Sequence, residues 1–145
     1  MKVKVVRESD RVRLPQYPTE QSIGLDMYAF NNVPIEIQSG KIKLIPTGLR
    51  IEVPPGYELQ IRTSSALALT TGVIVLNSPG SINSGYEGEI NVILANFSPN
   101  SFTVNRGDII AQAVMAKVEH VEFEITDGLG KPSATNFYGF GPSLN

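Results

Sequence analysis

Short apolar runs rich in valine and isoleucine follow one another along the chain, each broken after a few positions by glycine or proline. Runs of that length suit strands, because a helix needs ten or more residues of 3.6-residue periodicity. The pattern predicts strands over 2–6, 42–45, 48–53, 57–62, 72–76, 89–96, 102–104 and 110–118. The segment Glu89-Ile90-Asn91-Val92-Ile93-Leu94 is mostly apolar, as a strand in the middle of a sandwich should be. Pro54-Pro55-Gly56, Ser78-Pro79-Gly80 and Asn105-Arg106-Gly107-Asp108 read as turns, since proline presets φ and glycine accepts φ > 0. One short helix is expected over 65–70, capped by Ser64 or Ser65. The expected organisation is an all-β sandwich or jelly roll over 1–126 and a flexible arm over 127–145. That arm carries aromatic residues and a Gly-Phe-Gly, which an inert tail does not need.

Composition narrows the chemistry. The 145 residues fit one domain with a real core. A net charge of -2 gives no basic footprint for a nucleic-acid backbone, so nucleic acid is not an expected partner. No apolar run approaches a membrane span and the first residues do not read as a signal peptide, so the expected location is cytoplasmic or nuclear. The absence of cysteine removes thiol nucleophiles. The single histidine, His120, removes most zinc sites and Ser-His triads, and no metal site is expected from the residues.

Five ordered segments carry a family resemblance. They are Ile23-Gly24-Leu25-Asp26-Met27, Ser64-Ser65-Ala66-Leu67-Ala68, Gly80-Ser81-Ile82-Asn83-Ser84-Gly85-Tyr86-Glu87-Gly88, Arg106-Gly107-Asp108-Ile109-Ile110-Ala111-Gln112 and Gly139-Phe140-Gly141-Pro142-Ser143. Together they resemble the five motifs of the trimeric dUTPases. The Ile45-Pro46-Thr47-Gly48 and Val53-Pro54-Pro55-Gly56-Tyr57 segments are similar to that family as well. The resemblance implies a dUTPase-like jelly roll of the β-clip type, a homotrimer whose C-terminal arms are exchanged, and active sites each built from three subunits.

The same resemblance implies a deoxyuridine pocket in a hairpin spanning 73–85, read largely by backbone groups, with Asn77, Gly80 and Ile82 in its wall. Tyr86 matches the tyrosine that lies under the deoxyribose, and Gln112 a glutamine near the α-phosphate. Ser65 matches a phosphate-contacting hydroxyl, and Asp26 a carboxylate near the site. Phe140 matches the aromatic of the arm that stacks on the base, a contact worth about 1–3 kcal/mol in comparable sites. Each of Tyr86, Phe140 and Gln112 also fits a plain packing role.

Other positions depart from the family. Asn83 stands where the resemblance implies the water-holding aspartate. A carboxamide orients water but cannot act as a base, and losing a placed base costs about 10²–10⁴ in rate. Ser64 stands in place of a phosphate-binding arginine, and Thr135 in place of the arm's arginine. Glu87 and Ile109 replace further cations, and Pro142 removes an N–H donor from the arm. Arg62, on the same strand face as position 64 but roughly 6–7 Å away, is the candidate substitute.

The expectation from these departures is a chain that has lost dUTP hydrolysis. It would keep a nucleoside pocket as a protein-interaction module or a binder of deoxyuridine-type ligands, with no cofactor. The alternative is a working dUTP diphosphatase with an atypical site and magnesium, in which Arg62 and a residue of another subunit restore the missing charge. The related dCTP deaminases place a catalytic glutamate after the third motif, where this chain has apolar Ile93, so deamination is excluded.

Overall fold

The structure is a computed structural model that describes residues 1–130. The expectations for Thr135, Phe140 and Pro142 lie outside the described residues. Eleven strands and one short helix are present within them: β1 (Val5–Arg7), β2 (Leu25–Tyr28), β3 (Ile35–Ile37), β4 (Ile42–Pro46), β5 (Leu49–Ile51), β6 (Tyr57–Arg62), α1 (Ser65–Thr71), β7 (Val73–Val75), β8 (Gly80–Asn83), β9 (Asn91–Asn96), β10 (Phe102–Val104) and β11 (Ile109–Lys117). A four-stranded sheet in the order β2-β11-β6-β8 and a three-stranded sheet in the order β4-β9-β7 hold most of the core. Two short antiparallel pairs, β1-β5 and β10-β3, complete the described structure.

Strand alternation explains the core. In β6, Leu59 and Ile61 are buried while Glu58, Gln60 and Arg62 are not. In β11, Ala111 and Ala113 are buried and Gln112 is partly exposed. These inward residues meet Met27, Ile37, Ile45, Val75, Val92 and Leu94 in one apolar cluster. The mostly apolar segment expected as a central strand is β9, flanked on both sides by β4 and β7.

The sequence pattern misses β2, β3 and β8 and shifts β1. Each is short, and β8 holds a single large apolar residue, Ile82; ladder bonds to β6 make it a strand rather than its own composition. The segment over 73–85 also departs from expectation. Its two strands do not pair with each other: β7 pairs with β9 and β8 with β6. The connection between them, which includes a cis Ser78–Pro79 bond, is therefore a corner where the chain crosses from one sheet to the other.

Candidate functional site

The corner between β7 and β8 is the natural starting point, because both sheets open there. Ile61, Val75, Asn77, Gly80, Ile82 and Asn91 line a small cavity of about 80 Å³ at the crossing. Three of the expected pocket residues, Asn77, Gly80 and Ile82, are thus brought together. Gly80 gives the Asn77 amide room: a Cβ there would sit 2.9 Å from Nδ2, which would have to shift. Thr63, just past the end of β6, ties this corner down. Its Oγ1 accepts from Val75 N at 3.0 Å and donates to Val75 O at 3.3 Å, and its own N–H donates to Ser78 Oγ at 3.0 Å. The sequence reading gave Thr63 no role.

A second, larger cleft of about 380 Å³ adjoins the first and shares Ser81, Ile82, Asn91 and Ile93 with it. Asn83 and Tyr86 form its wall. The Tyr86 hydroxyl donates to Glu89 O at 3.0 Å, and the ring lies so close over Gly88 that a Cβ there would meet Oη at 2.5 Å. Glu89 is itself anchored, since its carboxylate accepts from Gly48 N at 2.9 Å. Beside it, buried Thr47 donates to Ile90 O at 2.6 Å. The ring is consequently fixed by the backbone while 47% of the residue stays exposed, as a wall for a flat ligand should be.

The third group lies on the outer face of the four-stranded sheet. Asp26, Gln112 and Arg62 are register partners across β2, β11 and β6, so their side chains share one face in a row. Arg62 turns back along its own strand. Its Nε and Nη2 donate to Gln60 Oε1 at 3.0 and 2.7 Å, and Gln60 Nε2 donates to the Glu58 carboxylate. That direction leads along β6, away from position 64. Ser64 is not a free hydroxyl either: it is buried and caps α1, its Oγ accepting from Leu67 N at 3.4 Å. Ser65 is the first helical residue and remains exposed.

Hydrogen bonds from Gln60 and then Ser81 hold the Glu58 carboxyl below its ordinary value, with Arg62 helping and desolvation opposing. Sequence reasoning missed Glu58 and Gln60; alternation in β6 was the available signal, since it puts Glu58, Gln60 and Arg62 on one outward face. Among the described residues no three His, Asp or Glu side chains cluster to cage a metal, and no helix is long and apolar enough to cross a membrane.

The described residues thus form a mostly β fold with a corner pocket, a tyrosine wall and a polar sheet face beside it. The dUTPase family profile matches residues 10–144, and the chain belongs to that family. It is 48% identical over 128 residues to the Chlamydia trachomatis protein named deoxyuridine 5'-triphosphate nucleotidohydrolase, with 88% of each chain covered. Proteins of the same name from Rickettsia felis, 47% identical over 80% of this chain and 78% of that one, and Anaplasma marginale, 44% identical over 86% of each, are similar. Among solved structures, a Staphylococcus bacteriophage 80alpha dUTPase variant with dUpNHpp superposes with a TM-score of 0.82 at 18% identity over 98% of each chain. A mutant dUTPase from phage phi11 of Staphylococcus aureus gives 0.78 at 16%, covering 90% of this chain and 100% of that one. Those two likenesses concern the fold.

The relatives overturn the expectation of a chain that has given up catalysis. Identity of 44–48% to three named nucleotidohydrolases, over most of both chains, supports a working enzyme. Across the β6–β8 ladder, Asn83 has a carboxylate, Glu58, as its register partner.

Proposed function

We propose that this chain hydrolyses dUTP to dUMP and pyrophosphate. The observation that carries the reading is the 44–48% identity to proteins named deoxyuridine 5'-triphosphate nucleotidohydrolase over nearly nine-tenths of the chain in the best-covered cases. The site supports it. In this reading uracil enters the corner lined by Asn77, Gly80 and Ile82 and is read by backbone groups of the segment over 73–85. The deoxyribose lies against Tyr86, whose fixed ring leaves no space for a 2′-hydroxyl. Asn83 orients a water toward the α-phosphate, and Gln112 and Ser65 contact phosphate oxygens. Magnesium suits the reaction as a cation carried on the triphosphate, which needs only one or two protein carboxylates. Asp26, in the row with Gln112 and Arg62, is the carboxylate that would approach it, and the cation would neutralise charge on the leaving pyrophosphate.

The proposal includes a homotrimer with exchanged C-terminal arms. It is supported by the segment after β11, where Val121, Phe123 and Ile125 alternate with Glu122 and Glu124 yet are 73%, 91% and 99% exposed. Among the described residues this segment has no ladder partner, and its alternation suits pairing with another subunit. The test is pyrophosphate release from dUTP with Mg²⁺ by the pure protein. Turnover that prefers dUTP to UTP and falls on Tyr86→Ala is expected; no turnover, or equal use of UTP, refutes the reading.

A further inference from the structure

One carboxylate stands directly across from Asn83. Glu58 of β6 and Asn83 of β8 are register partners, and such partners project side by side with Cβ atoms about 4.5–5.5 Å apart. The neighbouring pair on the same face is Gln60 with Ser81. Glu58 is not left to wander: Gln60 donates to its carboxylate and is itself held by two bonds from Arg62. Asn83, its partner, lines the cleft that also holds Tyr86. A carboxamide can offer an acceptor and two donors to a water, but it cannot take a proton near neutral pH. An ionised carboxylate can.

Resting on dUTP hydrolysis as the reaction, we infer that Glu58 is the general base, receiving the proton of a water that Asn83 orients. The water oxygen forms a bond to the α-phosphorus while the bridging α–β P–O bond breaks. That bond's electron pair leaves with pyrophosphate, and the water proton passes to the Glu58 carboxylate, which later returns it to solvent. The charged surroundings are simple. Arg62 lies on the same strand, β8 brings uncharged Ser81 and Asn83, and β11 brings Lys117 one register step away, opposite Tyr57. Bonds from Gln60 and Ser81 and the Arg62 charge lower the carboxyl's affinity for protons. The base form therefore persists to a pH below the ordinary glutamate value of 4.5, and activity falls only as pH drops through that lowered value.

The test is steady-state kinetics of Glu58→Gln, alone and combined with Asn83→Asp, on the full-length protein. Glu58→Gln is expected to lower kcat by about 10²–10⁴ with KM changed less than about threefold. The acid limb of its pH–rate profile should vanish. Asn83→Asp placed in the Glu58→Gln background is expected to recover at least tenfold in kcat together with an acid limb, because it puts a carboxylate back beside the same water. A merely structural Glu58 would not be rescued this way. Unchanged kcat and an unchanged acid limb in Glu58→Gln, with the unaltered protein active, overturn the inference and leave the dUTP reading standing. A kcat loss that Asn83→Asp does not repair also overturns it. No turnover by the unaltered protein overturns both.

Discussion

Replacing Thr63 with valine tests whether the corner pocket is held by one hydroxyl. In the β7–β9 ladder the backbone of Leu76 points at β9, its N–H donating to Ile93 O at 2.9 Å, so the N–H of Val75 points the other way. Its partner is Thr63 Oγ1, at 3.0 Å. Val75 is 1% exposed, so no solvent can replace that partner without opening the core. Val75 O is less vulnerable, because Ser78 N also donates to it at 3.3 Å. Valine keeps the shape of threonine and removes the oxygen, leaving one buried N–H orphaned. The cost is about 1–3 kcal/mol. For a chain of this size that is roughly 3–10 °C in melting temperature, at about 3 °C per kcal/mol. Calorimetry at fixed protein concentration is the assay, since an oligomer's melting temperature shifts with concentration. Thr63→Ser is the control: it keeps the oxygen and loses a methyl, so it should fall by less than half as much. The KM for dUTP should rise in the valine variant, because Val75 and Ser78 frame the corner that holds Asn77. A valine variant as stable as the native protein, or a serine variant that matches its loss, would refute the role given to the hydroxyl.

Three further outcomes are expected. Gly88→Ala should raise the KM for dUTP several-fold while unfolding shifts by about 1 kcal/mol, because the new methyl displaces the mobile end of Tyr86 and breaks its bond to Glu89 O; kinetics and denaturant titration read the two separately. Ser64→Ala should cost about 1 kcal/mol of stability with little change in KM, as expected of a helix cap, whereas Ser65→Ala should raise KM and spare stability. Asn96→Ala should destabilise by about 2–4 kcal/mol in urea, since this buried amide donates to Ile37 O at 2.8 Å and Asn100 O at 2.7 Å and accepts from Ser98 N at 2.9 Å.

What was legible in the sequence was whatever a residue's own character decides. Leu59 and Ile61 alternate with Glu58, Gln60 and Arg62, so β6 and its buried face could be read directly. Tyr86 and Asn77 were legible as pocket residues only through the family motif around 80–88 and the segment over 73–85. Register was not legible. Gly80-Ser81-Ile82-Asn83 looks like turn residues, and it becomes a strand only by pairing with Tyr57–Arg62. Which residue faces Asn83 depends on the path of the intervening corner, and a slip of one position would turn Glu58 to the other side. The expected loss of hydrolysis was overturned by relatives 44–48% identical over most of the chain. An amide at position 83 reads as a lost carboxylate when the chain is taken in one dimension. On the inference drawn above, the carboxylate stands across the ladder on β6, held by Gln60, which Arg62 holds in turn. Chemistry in a sheet belongs to pairs of strands, so the unit in which loss or retention is judged should be the register pair rather than the residue.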